Sequence, residues 1–208
     1  MEPSLSETEL ARAGRFRFDR DRGRYVAGRG QLRAILGRYL RRAPGGLRLD
    51  SGRFGKPALE AGSEDRIRFN LSRSADLGIV AIQLNEDLGV DVEQVRPFTD
   101  ALAIAKRMFA AEEYQALSSL PETEQLEGFF RYWTRKEAVV KSVGRGLTHP
   151  LDGFVLSPDS GEERVVVERD GTPVARWLVP VPPPRADFVV ALATGSLGPV
   201  RCWAWTEG

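Results

Sequence analysis

Glu137 stands where a helix would be expected to bury a hydrophobe. Leu126, Phe129, Phe130 and Trp133 fall at the i, i+3, i+4, i+7 positions of one helical face, and Glu137 is the next position on that stripe. A carboxylate there is costly to desolvate unless a cation holds it. Lys141, four residues on, offers the common helical Glu-to-Lys pair, worth only about 0.2–0.5 kcal/mol; a metal ion is the stronger alternative. The strand-like GVDVE adds two more acids, with Val90 and Val92 on one side and Asp91 and Glu93 on the other. Two acids on one face with no base between them repel each other. Such a pair fits either a solvated strand face or a hard cation. Mg²⁺ takes oxygen ligands, often only a few carboxylates, and completes its shell with water and substrate phosphates. Glu137 would then be a third ligand. Lys136 and Lys141 flank it, and lysine serves phosphate as a mobile point charge. Trp133, on the apolar stripe, is read as packing.

These residues sit in an ordinary globular composition: 208 residues, 42% hydrophobic and 28% charged. No apolar run approaches membrane-spanning length, and MEPSLSETEL lacks the order of a signal peptide, so a cytoplasmic protein without a membrane partner is expected. One cysteine, Cys202, excludes an intrachain disulfide and a cysteine-based zinc cluster. One histidine, His149, excludes histidine-rich metal sites and disfavours a histidine-dependent triad. The net charge is +1, yet residues 1–50 carry twelve arginines against six acids, which suggests an anionic ligand on that side. An arginine-rich coding bias explains the same count, since the chain has 26 Arg and 4 Lys. Two of those four lysines flank Glu137.

The elements that must position these groups are mixed. Periodicity predicts a helix over 28–41, a turn-rich SGRFGKPAL, a half-buried strand IRFNLS, its hairpin partner GIVAIQL, and the short strand GVDVE. Helices follow from Thr99, near Glu112, and from Pro121 to about Gly144. The remainder reads as strands: FVL, RVVVER and VARWLVPV around an Asp170-Gly171 turn, then DFVVALAT and VRCWAW. Without regular βαβ alternation the class is α+β.

In combination, GVDVE, WTRKEAVVK, FGKPAL and FNLSRS resemble the G-x-D-x-E, W-x-x-K-E-A-x-x-K, G-K-P and F-N-x-S-H-S motifs of the surfactin-type 4′-phosphopantetheinyl transferases. AKRMFAAEEY is similar to the family's helix and its F-x-x-x-E. The motifs lie in the family's order across residues 55 to 147, with Arg73 where the family usually has histidine. The resemblance implies two similar α+β halves, 1–85 and 86–208, with the active site in the cleft between them. It implies transfer of phosphopantetheine from coenzyme A to a carrier-protein serine, releasing 3′,5′-ADP, by a monomer with no nucleic-acid partner. Asp91, Glu93 and Glu137 would hold Mg²⁺ against the pyrophosphate, Glu137 would take the serine proton directly or through a metal-bound water, and Lys141 would steady the departing α-phosphate. Lys136 would either assist at the pyrophosphate or face solvent. Lys56, Ser72, Arg73 and Arg33 would form the 3′-phosphate pocket, with the backbone of Gly55 to Pro57 near adenine. An arginine at 73 still serves a phosphate, without titrating near neutral pH.

Two other readings compete. A polyanion- or nucleic-acid-binding module would use Arg29, Arg33, Arg38, Arg41 and Arg42, but gives no reason for the three acids. An unrelated Mg²⁺-dependent nuclease or phosphatase explains the acids and not the combined motifs. The segment VRPFTDALAIAKRMF sets apolar Val95, Phe98 and Leu102 beside basic Arg96, Lys106 and Arg107, where the family's carrier protein docks. Part of that segment must also be an ordinary amphipathic helix packed on the core.

Overall fold

A computed structural model describes residues 4–51, 57–60, 66–144, 150–158 and 161–205. Helices and strands mix without βαβ alternation, as expected for an α+β chain. Two compact units are distinguished: Met1–Gly52 with Pro57–Ile67, and Arg53–Lys56 with Arg68–Gly208. The division between these two units falls near Ile67.

In the first unit, α1 (Glu7–Ala13) opens with a capping box in which the Ser6 and Glu9 side chains each take the other's backbone N–H. α2 (Asp19–Leu40) begins nine residues before the expected start. Its buried face carries Tyr25, Leu32 and Leu36, and also Arg33. β1 (Leu49–Ser51) and β2 (Pro57–Leu59) pair antiparallel, with Ser51 opposite Pro57.

In the second unit, which takes all of β3 (Ile67–Ser74) but its first residue, β3 pairs with β4 (Leu77–Leu84). A separate antiparallel sheet runs in the order β5 (Gly89–Gln94), β8 (Phe188–Thr194), β7 (Thr172–Val179), β6 (Glu163–Arg169). α3 (Ala101–Met108) and α4 (Ala111–Ser118) lead into α5 (Glu122–Val143), which packs against β5 and β8. The core gathers around Phe109, Phe129, Val139, Val140, Val167 and Ala191.

The expected strands FVL and VRCWAW do not form. Phe154 and Leu156 are buried and Val155 exposed, so the alternation is correct. However, the Phe154 carbonyl accepts from Lys136 and the Leu156 N–H donates to Glu113, so side chains take the groups a strand ladder would use. VRCWAW is apolar but finds no partner strand among the described residues, and Trp203 is 77% exposed.

Candidate active site

The site begins with one glycine. A Cβ on Gly89 would lie 2.0 Å from the Ala138 carbonyl oxygen and 2.4 Å from the Ser142 N. Only glycine lets the start of β5 lie this close to the backbone of α5. That approach brings Asp91 and Glu93 toward the helix positions of Glu137 and Lys141.

From Thr134 to Val140 every residue of α5 is buried, so the helix is enclosed on all sides there. It carries three consecutive charges into that interior. Arg135 is paired with Glu163 and donates to the Ser157 carbonyl at 2.7 Å. Lys136, fully buried, lies 2.8 Å from Glu113, donates to the carbonyls of Leu151 (2.6 Å) and Phe154 (2.8 Å), and sits 4.3 Å over the Phe154 ring. Glu137 differs: its Oε1 is buried with no hydrogen-bond partner. Burial, reinforced by the charges of Asp91 and Glu93 and opposed by Lys141, pushes its carboxyl up to about 7.

Lys141 does not serve only its own helix. Its Nζ reaches β5, 2.5 Å from Asp91 Oδ1, and donates to Ser72 Oγ at 3.1 Å. Asp91 Oδ2 is left buried and unpartnered. Burial raises the Asp91 carboxyl against the pull of Lys141, and burial is also the main cause of the upward shift at Glu93. Arg176, inward-facing on β7, donates to Ser142 Oγ at 3.1 Å and reaches the Ser142 carbonyl at 3.4 Å, placing a cation at the C-terminal turn that carries Lys141.

The donor set fits a divalent cation. Three carboxylates interact electrostatically, two of them present a buried orphan oxygen, and all the donors are oxygen, the preference of Mg²⁺. Among the described residues, no three such side chains already stand at ligand spacing. In this state Asp91 Oδ1 is held by an ammonium and Glu93 Oε2 by a hydroxyl.

Other expected site residues are placed differently. Arg33 is buried in the first unit, 2.7 Å from Glu9, and donates to the carbonyls of Pro44 and Leu47. Its position on the packed face of α2 makes it a structural cation, with no exposed edge for a phosphate. Lys136 does not face solvent: Glu113 and two carbonyls enclose it. Ser72 turns its hydroxyl to Asp91 Oδ1 at 2.7 Å, while Arg73, next on the strand, is exposed on the opposite face. Pro57 is buried in β2. Lys56 and His149 lie outside the described residues.

Sequence reasoning assigned no role to Glu113, Arg176 or Gly89. The glutamate of FAAEE was visible as a motif, and an arginine at an inward position of the apolar run VARWL was a signal of the same kind as Glu137. The buried pair yields a stability prediction. Lys136→Met should destabilise the protein by about 3–5 kcal/mol, because it strands a buried carboxylate. Adding Glu113→Gln should recover part of that loss, measured by urea unfolding of the single and double variants.

Residues 87–193 match the family model described as the 4′-phosphopantetheinyl transferase superfamily. The chain is 46% identical over 145 residues to 4′-phosphopantetheinyl transferase HetI of Nostoc sp., covering 69% of this chain and 61% of HetI. It is 34% identical to the 4′-phosphopantetheinyl transferase psf-1 of Bacillus pumilus, over 76% of this chain and 67% of that protein. To 4′-phosphopantetheinyl transferase Sfp of Bacillus subtilis it is 30% identical, over 72% of this chain and 65% of Sfp. The chain thus spans less than two thirds of the length of HetI and of Sfp. The matched region contains β5, α5 and the carboxylates they carry, and on this sequence similarity the chain belongs to the 4′-phosphopantetheinyl transferase superfamily.

Proposed function

We propose that this chain transfers 4′-phosphopantetheine from coenzyme A to a serine of an acyl, peptidyl or aryl carrier protein, working as a cytoplasmic monomer with Mg²⁺ held by Asp91, Glu93 and Glu137. The observation that carries the reading is the contrast along α5. Arg135 and Lys136 are compensated inside the protein, whereas Glu137 keeps a buried orphan oxygen beside a second one on Asp91. When bound there, the metal would neutralise charge on the pyrophosphate.

Glu137 accepts the proton of the carrier serine, a task suited to a carboxylate whose proton affinity is raised to about 7. The serine oxygen bonds to the β-phosphorus as the bond from that phosphorus to the bridging oxygen breaks. The electron pair leaves with 3′,5′-ADP, and Lys141 neutralises the α-phosphate that carries it. Release of 3′,5′-ADP in step with carrier modification tests the reaction, and replacing the carrier serine by alanine should remove both signals. ADP release without carrier modification would instead indicate hydrolysis.

Arg73, exposed on β3, is assigned to the 3′-phosphate of coenzyme A. Charge-assisted bonds contribute about 1.5–3 kcal/mol, so Arg73→Ala should weaken coenzyme A roughly ten- to a hundredfold and 3′-dephospho-coenzyme A little. Binding calorimetry with the two ligands checks this; equal losses would move Arg73 out of the pocket.

The carrier is assigned to the segment between β5 and α4. Arg96, Lys106 and Arg107 are exposed, and Phe98, 37% exposed, meets Phe129 at 5.9 Å. Rim cations chiefly steer encounter. Arg96→Glu with Lys106→Glu should therefore raise KM for an acidic carrier and flatten its salt dependence, leaving coenzyme A binding unaffected. Kinetics with varied carrier at low and high salt provide the check.

A further inference from the structure

β5 is held along one side by the side chains of β3. Asn70, Ser72 and Ser74 alternate along β3 and so share one face. Asn70 Oδ1 accepts the Val90 N–H at 2.8 Å. Ser72 Oγ donates to Asp91 Oδ1 at 2.7 Å, and Ser74 Oγ donates to Glu93 Oε2 at 2.7 Å while accepting the Gln94 N–H at 3.0 Å. The two strands belong to different sheets, so this ladder of polar side chains connects them in place of backbone pairing. Its spacing matches the acids: serines two apart meet carboxylates two apart.

A serine hydroxyl has one proton to give. Both serines give it to one oxygen of a carboxylate, which fixes how that group is turned and where its second oxygen points. For Asp91, that second oxygen is the buried, unpartnered Oδ2. Glu93 is half-buried on a long side chain that would otherwise lose rotamer freedom on binding an ion. The Ser74 bond removes part of that freedom in advance.

We propose that Ser74, together with Ser72, is a positioning residue for the divalent cation, orienting Glu93 and Asp91 from outside the ligand set. This rests on the reading that those carboxylates hold Mg²⁺. It gives the serines of FNLSRS a role toward the metal, with the exposed Arg73 between them facing the other way. Ser74 is the cleaner test, because Ser72 also receives Lys141.

Outer partners of metal ligands typically change metal affinity about 10–100-fold when removed. In the coenzyme A complex of the full chain, the Mg²⁺ concentration at the midpoint of the metal-induced rise in Tm should increase by that factor in Ser74→Ala. It should return to within about threefold of wild type in Ser74→Thr, which keeps the hydroxyl. KM for coenzyme A at saturating Mg²⁺ should stay near wild type. A midpoint unchanged in Ser74→Ala, failure of Ser74→Thr to restore it, or a loss confined to coenzyme A affinity would overturn the inference. A wild-type protein indifferent to Mg²⁺ would overturn the metal reading as well. A metal-dependent wild type with an indifferent Ser74→Ala would overturn the positioning role alone.

Discussion

Glu137→Gln is expected to abolish transfer and, without metal, to make the protein more stable above pH 7. The substitution nearly preserves volume, so it opens no cavity. It removes a charge that the interior around α5 does not compensate. The carboxyl rises from an ordinary 4.5 to about 7 through burial and the charges of Asp91 and Glu93, with Lys141 acting against the rise. Between those values the folded protein holds a proton that the unfolded chain has released. Metal-free stability therefore falls as pH rises through this window and stays lost above it. For the buried Glu137, the cost at pH 8 is on the order of 3 kcal/mol. The variant escapes that cost, so its Tm should exceed the wild type's at pH 8 in EDTA and converge with it near pH 4.5. Mg²⁺ should stabilise the wild type much more than the variant. A variant that keeps near-wild-type turnover at saturating Mg²⁺ would remove Glu137 from the chemistry.

Gly89→Ala should be nearly as damaging to activity, through packing alone. The new Cβ meets the Ala138 carbonyl oxygen and Ser142 N at 2.0 and 2.4 Å, so the strand and helix backbones would have to part by over an ångström. Overpacking usually costs about 1–3 kcal/mol, and contact with backbone leaves no side chain to yield, placing this substitution at the upper end. A misplacement of about 1 Å can cost about 100-fold in rate, and here it separates Asp91 and Glu93 from Glu137 and Lys141. Urea unfolding together with kcat measured at low temperature, where the variant remains folded, checks both effects. Wild-type kcat would show that the close approach of β5 and α5 does not set the chemistry.

The sequence made some of this legible and hid the rest for identifiable reasons. Glu137 stood out because its apolar stripe has a period that a carboxylate interrupts. Asp91 and Glu93 stood out because strand alternation puts them on one face. That Lys136 is buried rather than facing solvent was not legible, because period locates a helix face but not what covers it. Its partners, Glu113 and the carbonyls of Leu151 and Phe154, come from elsewhere in the chain. The same pair explains why FVL, with a correct alternation, is not a strand. Arg33 came to the 3′-phosphate pocket through the family resemblance, and the arginine-rich face that the polyanion reading used gave no sign that its side chain turns to Glu9 and the Leu47 carbonyl. The early start of α2 was hidden by Gly23, Gly28 and Gly30. Each lowers helix propensity by about 1 kcal/mol, which the packing of Tyr25, Leu32 and Leu36 overrides. The GKP segment, with Lys56, lies outside the described residues.

The most direct measurement is the intact mass of an apo carrier protein after incubation with this chain and coenzyme A, with Mg²⁺ or with excess EDTA. A gain of one phosphopantetheine on the carrier serine, present with Mg²⁺, absent with EDTA and absent with Glu137→Gln, is the predicted result. A carrier unmodified under all conditions across acyl, peptidyl and aryl types, or modified equally well in EDTA, would contradict the account.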